Sequence, residues 1–119
     1  MSLASYAGGC HCGAVRYEVS VDLEQPVIAC NCSMCGRSGT YLTFAPATQF
    51  KLLSGEGVLT DYQFNKHVIH HLFCSRCGIK SFARGVGRDG SEMVAINARC
   101  LDGVDLAKLN VKAYDGQHA

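Results

Sequence analysis

The chain has 119 residues, a formal net charge of +1 and no Lys/Arg run of five or more. That length fits one domain, and the charge pattern argues against a polybasic surface for nucleic acid or membrane. No apolar run approaches the ~20 residues of a membrane helix. The opening MSLASYAGGC has no basic segment and no apolar stretch of signal-peptide length. A cytoplasmic protein is therefore expected, with residues 1–7 as an N-terminal extension (its first residues partly an expression scar) and 8–119 as a single domain.

In chain order the pattern is almost wholly β. Val15, Tyr17, Val19 and Val21 alternate with Arg16, Glu18 and Ser20, which is the period of a half-buried strand. Val27-Ile28-Ala29 is a short apolar strand running into Cys30. Thr40 to Ala45 is rich in aromatic and β-branched residues, and Pro46 ends it. Gln49 to Leu53 reads as another short strand. Val58–Phe64 and Val68–Phe73 flank a tight connection at Asn65-Lys66, and the second of them delivers the chain to Cys74. Lys80–Val86 and Glu92–Arg99 form a hairpin around an Asp-Gly turn at Asp89-Gly90, with further Asp-Gly turns at Asp102-Gly103 and Asp115-Gly116. Val104 to Leu109 has room for about one helical turn. No segment holds a helical period over ten residues with caps, so about nine short strands and little helix are expected.

The core implied by this is thin, because 13 residues are glycine and only 8% are aromatic. Eight cysteines point to another source of stability. In a reducing compartment such density indicates metal ligands more than disulfides, and C-x-C spacing strains a disulfide ring. Seven of the eight fall in three clusters: Cys10-His11-Cys12-Gly13, then Cys30 to Cys35 as C-x-C-x-x-C, then Cys74-Ser75-Arg76-Cys77-Gly78. Two residues between thiolates let both sulfurs reach one ion from a single turn, and a following glycine can take positive φ so that backbone N–H groups turn toward sulfur. Gly36 and Gly78 hold that position.

Thiolate ligands make zinc the default metal, with an iron–sulfur cluster as the lesser reading. Cys10, Cys12, Cys74 and Cys77 make one closed set of four and leave Cys30, Cys32 and Cys35 as a set of three. Spacing alone does not force this partition. Cys30 and Cys32 can equally pair with Cys74 and Cys77, and Cys100 or a histidine can close the set of three. Three protein ligands with an open position would mark a catalytic zinc.

The ordered motifs GGCHCGAVRYEV, CNCSMCGRSG and HHLFCSRCGIKSF, followed by INARCLDG and a late YDG, resemble the glutathione-dependent formaldehyde-activating enzyme family, which shares its domain with centromere protein V. The resemblance runs from Gly8 to about Gly116. It implies a zinc-stapled all-β fold, the β-tent, built of several small antiparallel sheets. It also implies two zinc ions per chain: a structural one on Cys10, Cys12, Cys74 and Cys77, and a catalytic one on Cys30, Cys32 and Cys35. The implied activity is that of a carbon–sulfur lyase, joining formaldehyde to glutathione as S-hydroxymethylglutathione and the reverse, with glutathione or another thiol as co-substrate.

Beside that centre, Arg37 and Ser38 are candidates to anchor a substrate carboxylate, or else simply complete their turn. His70 and His71 alternate along their strand, so one of them can face the site; His71 matches a position where the family often carries histidine, as acid/base or as a partner to sulfur. His11 is expected to point away from its metal, and Cys100 to be a small buried apolar residue. The rival functions are a non-catalytic zinc module that binds a protein partner and a thiol or metal sensor.

Overall fold

A computed structural model of the chain describes residues 3–63, 69–87 and 89–115. The fold is mostly β, in two sheets. Strands β1 (Ala4–Gly9), β2 (Arg16–Val21) and β5 (Phe50–Ser54) form a three-stranded sheet in the order β1-β2-β5. The seven-stranded sheet takes β3 (Val27–Cys30), β4 (Leu42–Pro46), β6 (Leu59–Tyr62), β7 (His70–Cys74), β8 (Phe82–Val86), β9 (Glu92–Asn97) and β10 (Val111–Tyr114). Its order is β10-β3-β4-β9-β8-β7-β6. Every pair is antiparallel except β10 with β3. Among the described residues no helix is long and apolar enough to cross a membrane.

The core lies between the sheets. Tyr17, Val19 and Val21 of β2 are buried while Glu18 is exposed, as the alternation requires. They meet Ala45, Leu72, Phe82, Val94 and Ile96 from the larger sheet. Tyr17, Phe50 and Phe82 form a ring cluster with centroids 4.8 to 5.6 Å apart, a spacing favourable for edge and offset contacts. The Tyr17 hydroxyl donates to the Ser81 carbonyl at 3.1 Å, so the largest buried polar tip is satisfied.

Several details depart from the sequence expectations. Residues 4–7, read as extension, are the first part of β1 and pair with Glu18–Val21. β10 was not foreseen either. The C-x-x-C stretch after Cys30 folds as a helix, α1 (Ser33–Ser38), not as a turn between strands. Gly36 sits inside α1, and the left-handed conformation falls instead on Gly39, φ 68°, whose N–H caps the Cys35 carbonyl at 2.9 Å. A glycine there ends the helix without steric cost. The expected turn of helix in 104–109 is a single 3-10 turn, Leu106–Lys108. The Asn65-Lys66 connection and Gly116 lie outside the described residues.

Candidate metal centre and reactive thiols

Two turns from distant parts of the chain bring the first sulfur group together. In the β1–β2 connection the Cys10 N–H donates to the Val15 carbonyl at 3.1 Å. In the β7–β8 connection the Gly78 N–H donates to the Cys74 carbonyl at 2.8 Å, and Gly78 adopts φ 78°. The Ser75 N–H holds this second turn against the Val58 carbonyl at 2.8 Å. As a result the Sγ atoms of Cys10, Cys12, Cys74 and Cys77 all lie within 4.8 Å of one another. Cys12 is 3.6 Å from both Cys10 and Cys74. Metal–thiolate bonds of about 2.3 Å in a tetrahedron set sulfurs roughly 3.8 Å apart, so four soft donors stand close to the spacing such an ion needs. The same distances are far beyond a disulfide bond, and none of the eight cysteines is paired in one.

Backbone N–H groups serve these sulfurs. Val15 donates to Cys10 at 3.3 Å and Arg76 to Cys74 at 3.4 Å. The backbone N–H groups of Cys12 and then Ile79 bring the Cys77 thiol down to about 6. For Cys10 burial pushes upward, but the Val15 N–H and the neighbouring thiols outweigh it and the net shift is down. Cys12 gains from the Ala14 N–H, yet burial and three adjacent sulfurs leave it raised to about 11. Four thiols this close cannot all ionise without a cation among them.

The second group forms where β3 ends and α1 begins. Cys32 is the N-cap of α1, and its sulfur accepts the Cys35 N–H at 3.3 Å. The Cys32 N–H in turn donates to the Cys30 sulfur at 3.5 Å. The three Sγ atoms lie within 4.8 Å of one another, and among the described residues no other Cys, His, Asp or Glu joins the group. Among the described residues neither Cys100 nor a histidine closes it, and Cys30 and Cys32 do not share a site with Cys74 and Cys77. For Cys32, burial pushes the thiol up, but N–H groups and neighbouring thiols bring it below the ordinary value. Burial, then Cys32, raise Cys35 to about 11, while Lys80 pulls the other way.

Lys80 is a residue that sequence reasoning missed. It is only 9% exposed, rare for a lysine. Its Nζ lies 2.8 Å from His71 Nδ1, and it is favourably placed toward Cys35 and Cys32. Burial lowers its pKa by more than those two thiols raise it, so the net shift is down. With Lys80 protonated, its ammonium has no lone pair, so His71 Nδ1 then accepts and the ring proton sits on Nε2. The Lys80 backbone is pinned as well, because the Asn97 side-chain NH₂ donates to its carbonyl at 3.2 Å. No local pattern marks this lysine; its partner sits nine residues away, across the β7–β8 turn.

The other candidates are distributed as follows. His71 is buried beside Lys80, whereas His70 sits on the opposite face with its Nδ1 2.7 Å from an Asp61 carboxylate oxygen. Arg37 donates to the Ser33 carbonyl at 3.1 Å, and the Ser38 hydroxyl to the Met34 carbonyl at 2.9 Å. Both bonds complete α1. His11 is exposed and belongs to neither sulfur group. Cys100 stands apart from both groups, with burial raising its thiol to about 11.

His71 carries a pH prediction. Burial first, then Lys80, hold its pKa at about 4 against an ordinary 6.5. As pH falls, the unfolded chain takes up this proton before the folded one. Stability from the neutral ring is complete above about pH 6.5 and is lost as pH falls toward 4, by up to about 3 kcal/mol. The stability gap between wild type and His71→Gln should therefore shrink across that window in urea titrations. Metal loss in acid acts on both proteins and cancels in the difference; a gap constant with pH would contradict the assignment.

Comparison with known proteins agrees with this architecture. A family model described as glutathione-dependent formaldehyde-activating enzyme matches residues 5–116. A crystal structure of a Rhodobacter sphaeroides protein, solved in a structural genomics programme, is similar at a TM-score of 0.81 and 33% identity. The match covers 91% of this chain and 99% of that one.

Proposed function

Because the chain belongs to the glutathione-dependent formaldehyde-activating enzyme family, we propose that it is a zinc-dependent carbon–sulfur lyase acting on a thiol–aldehyde adduct of the S-hydroxymethylglutathione type. Cys10, Cys12, Cys74 and Cys77 would hold a structural zinc, and Cys30, Cys32 and Cys35 a catalytic one. The observation that carries this reading is the group of three sulfurs with no fourth Cys, His, Asp or Glu among the described residues. Cys30, Cys32 and Cys35 would hold the catalytic ion, and its charge would favour the ionised form of a substrate thiol.

The chain's own residues account for the rest. Cleaving the adduct breaks its carbon–sulfur bond, leaves the sulfur as a thiolate and passes the hydroxyl proton to solvent water as the aldehyde forms. The buried Lys80 cation opposes the negative charge that gathers on sulfur, in surroundings where its field is little screened. In the reverse, adduct-forming direction, His71 with its proton on Nε2 is a donor suited to the aldehyde oxygen as it gains negative charge. Arg37 keeps guanidinium donors beyond its bond to Ser33, enough for a substrate carboxylate at the surface of α1. Eight cysteines, seven of them in two groups suited to a metal and none in a disulfide, suit a reducing compartment such as the cytoplasm.

The test is exchange NMR with labelled formaldehyde and glutathione. Zinc-loaded protein at micromolar concentration should speed interconversion of formaldehyde hydrate and the S-hydroxymethyl adduct by at least ~100-fold, the scale of positioned acid–base catalysis. No acceleration with glutathione or with any other thiol would end the lyase reading. A half-buried Cys32 held below the ordinary thiol value favours a second reading, a thiol sensor. That reading is supported if peroxide releases zinc from a protein that turns over no adduct.

A further inference from the structure

The outer face of the seven-stranded sheet, away from the core, carries a groove. Cross-strand partners share a face, and the register aligns Phe44, Ala95, Ala83 and His71 in one row across β4, β9, β8 and β7. The next row holds Pro46, Met93 and Gly85. Small residues form the floor, and Phe44, Ile69, Val86 and Met93 stand around them. The groove has a volume of about 580 Å³, within the ~300–1,000 Å³ of small-molecule sites. Phe44, Ile69 and Val86 are 53%, 50% and 55% exposed, a concentration of apolar surface that marks a binding site more than a solvated face.

Two features decide what fits there. The first is charge. Among the described lining residues only Arg84 is charged, and its guanidinium lies 5.2 and 5.4 Å from the Phe50 and Phe82 ring centroids. Phe82 belongs to the core, so that charge is spent on the far side of the sheet. A glutathione molecule brings two carboxylates and an ammonium, and the described lining gives them no charged partner. The second is continuity. The row of small residues ends at His71, whose Nδ1 lies 2.8 Å from Lys80 Nζ, and Lys80 in turn interacts electrostatically with Cys35 and Cys32. A concave apolar floor whose row of small residues ends at His71 suits a substrate chain better than the flat face of a second copy.

We propose that this groove receives an apolar alkyl or aryl chain of the substrate, whose reactive end reaches Lys80 and the three cysteines. The inference rests on the reading of that cysteine group as the reactive site and sharpens its substrate class: an adduct with a hydrophobic body, in preference to the glutathione adduct. The apolar chain can belong to either half of the adduct. Alkanethiols with formaldehyde and glutathione with alkanals separate the two.

Calorimetric titration of the zinc-loaded protein with ethanethiol, butanethiol, hexanethiol and glutathione is the test. Affinity should rise about fourfold for each methylene buried, and hexanethiol should bind more tightly than glutathione. If the aldehyde half carries the chain, the same slope appears instead for alkanals titrated with glutathione present. Ala95→Phe, which fills the floor, and Phe44→Ala, at an exposed wall position that leaves the core intact, should each lower the hexanethiol-to-ethanethiol affinity ratio, or its alkanal counterpart, at least tenfold. Zinc content serves as the check that both variants fold. Affinity independent of chain length in both series overturns the proposal, as does a ratio that neither variant changes. A dimer that Phe44→Ala dissociates at an unchanged ratio would make this face a contact between copies, and also overturns it. Length-dependent binding without adduct turnover upholds the groove and removes the lyase reading. Turnover of the glutathione adduct without length dependence does the reverse.

Discussion

Cys74→Ser should abolish cooperative thermal unfolding and halve the zinc content. Cys74 is fully buried where β7 ends, and its sulfur stands 3.6 Å from that of Cys12. The pair belongs to the group that ties the β1–β2 turn, in the small sheet, to the β7–β8 turn, in the large one. A structural zinc on thiolates is worth about 10–16 kcal/mol of binding free energy, whereas a domain of this size has a net stability of about 5–15 kcal/mol. Removing the ion thus removes an amount comparable to the whole margin. A serine hydroxyl does not ionise near neutral pH, so it cannot replace the thiolate. Circular dichroism melting and elemental analysis check both parts. A melting midpoint within a few degrees of wild type would show that packing alone holds the two sheets.

What a sequence can reveal here follows the range of the signals. The β2 alternation is local, and Tyr17, Val19 and Val21 are buried with Glu18 exposed as that pattern demands. The cysteine spacings are local too, but they left the partition open; the two sulfur groups are those that the family resemblance implied. β1 was hidden because ASYAGG has no strand pattern of its own. It is a strand because β2 pairs with it, and its glycines are there for space: a Cβ on Gly8 would meet the Cys100 carbonyl at 2.8 Å, and one on Gly9 the Val15 carbonyl at 2.0 Å. β10 is exposed along its length and exists through parallel pairing with β3, more than eighty residues earlier. Its apolar content carries no signal of that partner. α1 is six residues long, too short for periodicity. It is set by capping chemistry, with a cysteine sulfur in the place usually taken by a serine or aspartate oxygen. Lys80 is the most consequential omission. Its meaning lies in a contact with His71 and in nearness to Cys35, and neither follows from spacing.

Cys35→Ser should give the opposite balance: no measurable turnover, at least ~10³-fold below wild type, with the fold retained and zinc falling from two per chain to one. Cys35 is 8% exposed on α1. Burial first, then Cys32, raise its thiol to about 11; in neutral solution it stays protonated unless cations favour the thiolate. Lys80 is one such cation, and a metal held with Cys30 and Cys32 would be the stronger. Serine keeps the shape of the residue but offers no accessible anion, leaving two sulfurs where three are needed. The backbone arrangement survives, because the Cys35 N–H to Cys32 sulfur bond and the Gly39 cap to the residue-35 carbonyl involve no atom of the Cys35 side chain. The helix is short, and the buried core cluster lies outside it, so the stability loss should stay near 1–2 kcal/mol. Exchange NMR, elemental analysis and thermal melting read the three parts independently. Full zinc with full turnover would detach the reactive site from this group. Loss of cooperative melting would make the group a structural clamp like the first. One atom is exchanged in each variant, sulfur for oxygen, and the two outcomes differ because Cys74 joins two sheets while Cys35 sits on a six-residue helix outside the buried core cluster.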